Sequence, residues 1–421
     1  MKKLICKIKS KKKYIKNIKY EFIFLMYNYE ILYKIVYKIL IFGKYDIIKI
    51  IGIDNIDLIL PEKLYCINKS KASLYFSVPV FNNIAIEKNT LTKYDDHDNY
   101  TFILKEVEVH GNANLIILDI NNGLYDLKRY DSKKRYKYTD GGIVYCNDDL
   151  CLIKNEYMKT RHSTAICMVG NYSWNYYHLM FEIIVKFQKI EMLHIDKDIP
   201  LLIDRVCYEI PQYYELFEIF NNNEREIITL RRDELCSVGT LYTISSLNII
   251  PPNFKFDDDI RPEDILFDIN SLEYLRNKLL PLSSKRVFPK RIYISRNNAS
   301  GRRKFNELAV QKILEKYDFE PIQPELYSIK DQIAIFSNAE IIAGGSGAAF
   351  TNLIFCKANC KVIIFAKSVL PFSGFSSISS LVGNELIYIT ETDSYEKLDL
   401  HAPFKIDIIK LEKIIEKWTQ L

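Results

Sequence analysis

The second half of the chain alternates between strand-like and helical patterns of hydrophobic positions. Residues 290–307 begin with the apolar run RIYIS, after which apolar residues recur at helical spacing, at Leu308, Val310, Ile313 and Leu314. A short strand and the amphipathic segment IKDQIAIFSNA follow, and apolar runs at 341–343 and 361–365 complete the series. Because such alternation favours a parallel sheet with right-handed crossovers, we predict a C-terminal α/β lobe over residues 285–395.

The first half begins with short alternating runs and then changes to an α/β pattern. Residues 51–160 are predicted to be β-rich, with Asn122-Gly123 as the clearest hairpin turn. Residues 161–260 carry strand and helix patterns in turn, and they end in an acidic, proline-marked linker. We therefore predict an N-terminal Rossmann-like lobe over 161–260, with 51–160 as its β-rich part and a closing helix within 396–421.

A glycine-rich turn, Gly344-Gly345-Ser346-Gly347, separates the strand at 341–343 from a helical pattern that begins at Ala348-Ala349. Glycine can adopt positive φ and lets a ligand approach the backbone, and the free N–H groups at a helix start favour an anion. The turn therefore predicts phosphate binding. A packing device without a ligand is the alternative, since a glycine-rich turn alone is a weak signal.

Arginine residues lie just upstream of this turn. Arg296 follows the strand RIYIS directly, and Arg302-Arg303 lie in the next loop. Guanidinium groups suit bidentate contacts with phosphate. In parallel sheets ligands bind beyond the carboxyl ends of the strands, where we expect Arg296, Glu325 and the glycine-rich turn to converge. The alternative interpretation is that these arginines are solvated surface charges.

In the first half, His178 and Glu182 are spaced one helical turn apart in a predicted helix. An imidazole that is oriented by a carboxylate can act as a general base. An ordinary helix pair has the same spacing, so both interpretations stay open at this point.

Composition and charge exclude some classes of protein. With 421 residues, 48% hydrophobic and 26% charged, the chain is long enough for two globular domains. The net charge of +5 comes largely from the lysines of the first twenty residues, and no basic stripe with interleaved aromatics indicates a nucleic-acid partner. Residues 1–50 predict a basic amphipathic helical segment, either packed on the protein or in peripheral contact with a membrane through residues 1–45.

The cysteines, histidines and acidic runs predict no metal site. Nine cysteines at irregular spacing argue against a disulfide framework and favour a reducing, cytoplasmic compartment. The close pairs Cys146/Cys151 and Cys356/Cys360 are predicted to be structural, because neither is followed by a second ligand pair at zinc spacing. His97 and His110 lack partners at metal spacing, and the acidic run at 257–259 is interpreted as solvated.

An ordered series of residues resembles the C-terminal signature of glycosyltransferase family 61. The series consists of Ser295-Arg296, Arg303, Asn306-Glu307, Pro324-Glu325, Gln332, Phe336, Ala339, Ile341-Ile342, Gly347-Ala348-Ala349, Thr351-Asn352 and Phe355. The segment NYSWNYYHLMFE at 171–182 is similar to the family's Asn-aromatic-x-His-x-x-x-Glu segment, so the resemblance covers about residues 100–395. Two departures are clear: Ser346 stands where many members have His, and the strand at 361–365 lacks the acid that members often carry.

The resemblance implies two Rossmann-like lobes of the GT-B type and inverting transfer of a sugar from a nucleotide-diphospho-sugar to a hydroxyl of a glycan, as in capsular or other surface-polysaccharide synthesis. It implies His178 and Glu182 as the catalytic pair. The implied donor and phosphate site comprises Arg296, Arg303, Asn306, Glu325, Gly345, Ser346, Gly347, Ala348, Ala349 and Asn352. No cofactor or divalent metal is expected if arginines and a helix dipole carry the phosphate charge.

Two other functions stay open from the sequence. One is another sugar enzyme on the same kind of fold, such as a pyruvyl transferase or a sugar-phosphate isomerase, because fold does not fix chemistry. The other is a non-enzymatic partner in assembly at a membrane surface, in which the basic N-terminal segment is the working part.

Overall fold

The computed structural model describes most of the chain from residue 45 onward. The described stretches are residues 45–55, 63–82, 90–131, 133–139, 141–154, 158–232, 234–255, 260–296, 304–367, 372–391 and 402–419. Residues 1–44 of the predicted basic segment and the acidic run at 257–259 lie outside them, whereas residues 45–50 belong to a strand and not to the predicted helix. Within these stretches no helix is long and apolar enough to cross a bilayer.

Twelve strands of the described chain form a large mixed sheet. They are β1 (Tyr45–Ile51), β2 (Leu64–Phe76), β3 (Thr92–His110), β4 (Ile116–Ile117), β5 (Asn122–Leu124), β6 (Ile143–Cys146), β7 (Leu150–Lys154), β8 (Met158–Met168), β9 (Leu201–Asp204), β10 (Ile227–Leu230), β11 (Glu234–Ile244) and β12 (Phe267–Asp268). Their order is β10-β9-β8-β11-β3-β4-β5-β1-β7-β6, and β2 pairs with both β3 and β12. The predicted β-rich part is thus continuous with the four parallel strands β8 to β11.

The predicted hairpin turn at Asn122-Gly123 is wrong, because these residues lie in β5. The carboxylate of Asp119 makes the turn one step earlier, accepting hydrogen bonds from the N–H groups of Asn121 (2.8 Å) and Asn122 (3.0 Å). Gly123 serves packing, since a Cβ there would lie 2.7 Å from Leu115 Cδ1.

The helices of the described chain lie mostly between parallel strands. The α-helices are α1 (Tyr176–His178), α2 (Phe187–Met192), α3 (Arg205–Glu209), α4 (Pro211–Asn221), α5 (Ile269–Leu279), α6 (Glu307–Glu315), α7 (Ile329–Asn338), α8 (Gly374–Val382) and α9 (Ile408–Thr419). A π-helix spans Leu179–Ile183, and 3₁₀-helices span Ile53–Asn55, Asp126–Tyr130, Ile184–Lys186, Pro262–Asp264, Leu280–Leu282, Pro324–Leu326 and Ala348–Phe355.

Five further strands form a second, fully parallel sheet, which confirms the strand and helix alternation predicted for the second half. They are β13 (Arg291–Ile294), β14 (Glu320–Ile322), β15 (Ile341–Gly345), β16 (Lys361–Ala366) and β17 (Glu385–Thr390). Their order is β14-β13-β15-β16-β17, so the chain changes direction of winding between β13 and β15. In such sheets a crevice for ligands opens at this switch point, beyond the carboxyl ends of the two strands.

Helices cover both faces of the second sheet. Side chains alternate between the two faces along each strand, so each face presents apolar residues to its own helices. Tyr293 and Ile363 pack with α6 and α9 on one face, whereas Ile294 and Ile364 pack with α7, α8 and the 3₁₀-helix Ala348–Phe355 on the other. The predicted closing helix is confirmed as α9.

One buried apolar cluster unites the two halves of the described chain. It contains Phe181 and Phe217 from the first half and Phe336 and Phe350 from the second. Because the cluster includes the side chains of α1, this short helix is held against the second sheet's helices. The two-lobed GT-B arrangement stays a prediction.

Candidate active site

Two turns, each at the carboxyl end of a parallel strand, lie beside the predicted catalytic pair and the predicted phosphate site. We call residues 344–347, at the end of β15, the glycine turn, and residues 170–175, after β8, the aromatic turn. Each turn leads into a helical segment that is not a regular α-helix: Ala348–Phe355 is 3₁₀, and α1 passes into the π-helix Leu179–Ile183.

The glycine turn lies at the switch point between β13 and β15, beside Arg296. The Arg296 Nη1 group donates a hydrogen bond to the Ser346 carbonyl at 2.7 Å. The predicted convergence of Arg296 with this turn is therefore confirmed. The predicted use of positive φ is wrong for the described turn glycines, since Gly347 is extended with φ 178° and ψ 172°. Glycine is required by close approach instead, because a Cβ on Gly345 would lie 2.9 Å from Arg296 Cδ.

Glu307 holds the end of β13 in place, a role that the sequence did not reveal. Its Oε1 accepts hydrogen bonds from the Tyr293 hydroxyl (2.7 Å), the Ser295 hydroxyl (3.2 Å) and the Arg296 backbone N–H (2.8 Å). The signals available from the sequence were its place in the family signature, beside Asn306, and its position just before the helical spacing that begins at Leu308. Because three groups around Arg296 converge on one carboxylate, the origin of the arginine side chain is fixed.

The glycine turn presents hydrogen-bond donors that the rest of the described chain does not use. The backbone N–H groups of Gly347, Ala348 and Ala349 meet no acceptor among the described residues. Burial lowers the pKa of the Arg296 guanidinium, and the nearby carboxylates of Glu307 and Glu325 oppose that shift. An arginine stays protonated under such conditions, so the turn combines a cation with convergent N–H groups, as anion sites do.

The other predicted donor-site residues are placed less favourably for a ligand. The Asn306 amide bonds to the backbone N–H (2.7 Å) and carbonyl (3.0 Å) of Ile406, so it fastens the segment before α9. Asn352 is fully buried, and its Nδ2 donates to Gln332 Oε1 at 2.9 Å. Glu325 is exposed after β14, within electrostatic reach of Arg296. Arg303 lies outside the described residues.

A buried network of polar side chains fixes the aromatic turn from the interior of the protein. The Asp204 carboxylate, at the end of β9, accepts the backbone N–H groups of Asn112 (2.6 Å) and Gly170 (3.0 Å). Asn112 Nδ2 then donates to the Ser173 hydroxyl at 2.6 Å. Asn114 Oδ1 accepts a hydrogen bond from the Asn171 backbone N–H at 2.8 Å, and the Asn114 backbone N–H donates to Asn171 Oδ1 at 3.2 Å. The turn is thus fixed by side chains that lie far apart in sequence.

The predicted pairing of His178 with Glu182 is confirmed as a direct hydrogen bond between His178 Nδ1 and Glu182 Oε2. The pair forms although the predicted regular helix is wrong here, since Glu182 lies in the π-helix. Asn248 Nδ2 donates to the Phe181 carbonyl at 2.8 Å and so satisfies one backbone group in this irregular stretch. Single π turns often occur at functional sites. The side chains of both residues are largely buried, with 13% of the His178 side chain and 9% of the Glu182 side chain exposed.

The helices that follow the two turns are joined by a hydrogen bond in the shared core. The Tyr176 hydroxyl, on α1, donates to Asn352 Oδ1 at 2.9 Å. A second link lies nearby, where Gln212 Nε2 on α4 donates to the Glu325 carbonyl at 2.9 Å. The structure therefore brings the helix that carries His178 into contact with the 3₁₀-helix that starts at the glycine turn.

The predictions for the close cysteine pair and for the isolated histidine His110 have different outcomes in the structure. Cys146 and Cys151, predicted to be structural thiols, form a disulfide between β6 and β7, since the hairpin brings them opposite each other. This bond is more typical of an oxidising compartment than of the predicted reducing one. His110 is fully buried, and burial lowers its pKa to about 4, as expected for a neutral structural side chain. Among the described residues, no cluster of His, Cys, Asp or Glu is suited to hold a metal.

A comparison with protein families identifies the region that contains both turns' helices. Residues 176–363 match the family model described as Glycosyltransferase 61. This range begins at α1 and ends in β16, so it includes His178, Glu182, Arg296 and the glycine turn. No curated protein matches the chain.

Proposed function

The chain is a glycosyltransferase of family 61, and from this premise we propose that it moves a sugar from a nucleotide-diphospho-sugar to a hydroxyl of a glycan, with inversion at the anomeric carbon. We also propose that the two sheets belong to a GT-B arrangement of two Rossmann-like lobes, with the acceptor on the first and the donor on the second. The two parallel regions, each with its turn at the strand ends, support this arrangement.

The donor diphosphate binds at the glycine turn in this proposal. The Arg296 guanidinium and the N–H groups of Gly347, Ala348 and Ala349 would hold its oxygens, and Arg303 and Glu325 would contact the rest of the nucleotide. As the glycosidic bond breaks, negative charge grows on the leaving diphosphate, and fixed donors stabilise that charge more than they stabilise the bound donor. Because these groups supply the positive charge, we propose that no divalent metal is required, so EDTA should leave the rate unchanged.

The acceptor hydroxyl loses its proton to His178. The hydrogen bond between Nδ1 and Glu182 leaves Nε2 as the basic nitrogen, and the carboxylate stabilises the imidazolium that forms. The acceptor oxygen attacks the anomeric carbon from the face opposite to the diphosphate, the glycosidic bond to the leaving oxygen breaks, and the configuration inverts.

The observation that carries the proposal is the contact between Arg296 and the Ser346 carbonyl at the switch point. The test is release of nucleoside diphosphate from a panel of UDP-, GDP- and other nucleotide sugars, with Arg296→Met beside Arg286→Met. Arg286 is a matched control because it is an exposed arginine of the same half, paired with Asp331. We expect Arg296→Met to lower the rate by about 10²- to 10³-fold and Arg286→Met to have no effect. Full activity in Arg296→Met with native circular dichroism would exclude this donor site.

We propose a cytoplasmic location, with peripheral contact at the inner face of the membrane through residues 1–45. Six described cysteines carry free thiols, which supports this location, whereas the Cys146–Cys151 bond speaks against it. The free thiols are alkylated at cell lysis, and the thiols released by later reduction are counted. This count tests whether the Cys146–Cys151 bond forms in the cell. The family match argues against the pyruvyl transferase, isomerase and assembly alternatives.

A further inference from the structure

Two aromatic side chains project from the aromatic turn beside the catalytic pair. Trp174 is 44% exposed, and Tyr172 is half-buried beneath it with the ring centroids 5.5 Å apart. Large apolar side chains in contact with water beside a catalytic group indicate a surface kept for a ligand. Trp418, by contrast, is buried in the core of the second sheet.

The turn is constructed to display these rings. Along it, buried and accessible side chains alternate: Asn171 and Ser173 point inward and are hydrogen-bonded, whereas Tyr172 and Trp174 point outward. Tyr172 has a φ of 55°, a backbone conformation that is uncommon for a bulky residue and that is retained only where the surroundings impose it.

Further contacts fix the turn from its two ends. The Trp174 carbonyl accepts a hydrogen bond from the Tyr213 hydroxyl at 3.0 Å, and the Asn175 side chain caps α1 by accepting the Tyr177 N–H at 3.0 Å. The rings are therefore held before any ligand arrives, and a preorganised surface loses little entropy on binding.

The rings continue as a row to His178. The Tyr172 ring lies 5.3 Å from the His178 ring, centroid to centroid, with an interplanar angle of 31°. The planes of the Trp174 and Tyr172 rings are inclined by 59°, so a ligand ring that stacks on Trp174 has its edge toward Tyr172 and the imidazole beyond it. This geometry matters because the proposed reaction removes a proton from a hydroxyl at that imidazole.

We propose that the exposed Trp174 ring, with Tyr172 at its edge, forms the platform on which a pyranose ring of the acceptor glycan stacks, so that one of its hydroxyls reaches His178. The inference rests on the proposed function and names the acceptor subsite. A pyranose has one face of C–H groups, which carry slight positive charge and suit the negative face of an aromatic ring, and an equator of hydroxyls. A nucleobase also stacks on aromatic rings, but it has no hydroxyl to offer the imidazole, and its diphosphate belongs at the glycine turn.

The test uses Trp174 as its own reporter. The chain has two tryptophans, so Trp418→Phe leaves Trp174 as the only one. Emission of this variant is recorded during titration with maltotriose, cellotriose, chitotriose and xylotriose, and separately with UDP and GDP. We expect a saturable change in Trp174 emission with at least one neutral trisaccharide at concentrations up to about 20 mM, the range of weak single-site binding.

Calorimetry on the otherwise unchanged chain supplies a second measurement that does not depend on Trp418→Phe folding. Trp174→Ala should weaken binding of the same trisaccharide by about tenfold, the effect of losing about 1.4 kcal/mol, while Trp174→Phe should retain most of it. Tyr65→Ala is the matched control, because Tyr65 is an exposed aromatic of the first sheet on β2. It should bind as the wild type does.

Two results would overturn the platform: no response to any of the four trisaccharides, or a response to UDP or GDP alone, which would assign the rings to the nucleobase. Donor hydrolysis by the wild type reports on the proposed function separately. If a trisaccharide binds at Trp174 while no nucleotide sugar is hydrolysed, the platform stands as a saccharide site and the transfer reaction is the part that fails.

Discussion

The glycine turn and the aromatic turn occupy equivalent positions in the two sheets but are built in opposite ways. The glycine turn is made of backbone: its residues are small because β13 and Arg296 approach closely, and the N–H groups of Gly347, Ala348 and Ala349 meet no acceptor among the described residues. The aromatic turn is made of side chains: Asp204, Asn112 and Asn114 hold it from inside. Backbone donors with one guanidinium suit an anion, whereas aromatic rings beside an imidazole suit a neutral polyol.

This difference in construction separates two tasks of one reaction. Stabilising a leaving diphosphate needs fixed positive charge and N–H groups, which a tight backbone supplies without side-chain entropy. Accepting a proton needs an oriented imidazole, and the hydrogen bond that His178 Nδ1 donates to Glu182 supplies that orientation. If the two turns divide these tasks, a substitution in one turn should leave the task of the other turn unchanged.

The largest effect is expected from His178→Gln. Removing the general base should lower kcat for transfer by about 10²- to 10⁴-fold, while binding of the nucleoside diphosphate at the glycine turn stays as in the wild type. Glu182→Gln should lose less, because an amide oxygen still accepts from Nδ1 but stabilises the imidazolium less. Transfer rates and calorimetry with the diphosphate measure both quantities.

The control for this pair is His162→Gln, which changes a histidine on β8 away from both turns. It should transfer normally. A His178→Gln variant that weakens diphosphate binding as strongly as Arg296→Met would show that the two turns do not divide the tasks.

Alanine substitutions of one glycine in each turn should differ moderately in their effect on stability, because the two turns are built differently. A Cβ on Gly344 would lie 2.8 Å from Ile294 Cβ and 3.0 Å from the Ile294 carbonyl oxygen, so β13 itself must move. A Cβ on Gly170 would lie 2.9 Å from Asn114 Oδ1, a side-chain atom that can shift. We expect Gly344→Ala to lower the free energy of unfolding by about 2–3 kcal/mol and Gly170→Ala by about 1 kcal/mol. Urea denaturation measures both, and equal losses would contradict the distinction.

The same contrast explains what the sequence could and could not predict. The parallel second sheet and the meeting of Arg296 with the glycine turn follow from local patterns, since strand ends in such a sheet share one edge. The network beneath the aromatic turn joins Asn112, Ser173 and Asp204, which are up to 92 residues apart. No local pattern reports such contacts, and the mixed sheet that creates them depends on pairing between distant strands.

One local prediction failed because packing overrode propensity. The Asn122-Gly123 pair is a strong hairpin signal, yet Gly123 is needed inside β5, where Leu115 and Ile48 leave no room for a Cβ. The helix predicted after the glycine turn is present over Ala348–Phe355, in 3₁₀ geometry.

The smallest effect concerns the hydrogen bond that joins the helices after the two turns. Tyr176→Phe leaves Asn352 Oδ1 without its donor in the core, so the free energy of unfolding should fall by about 1 kcal/mol. Tyr213→Phe is the matched comparison, because its hydroxyl bonds only to the Trp174 carbonyl among the described residues. Tyr176→Phe should therefore weaken diphosphate binding and transfer together by a few-fold, whereas Tyr213→Phe should affect transfer alone. If both variants spare diphosphate binding, the hydrogen bond between α1 and Asn352 serves folding only, and the two turns keep their positions independently.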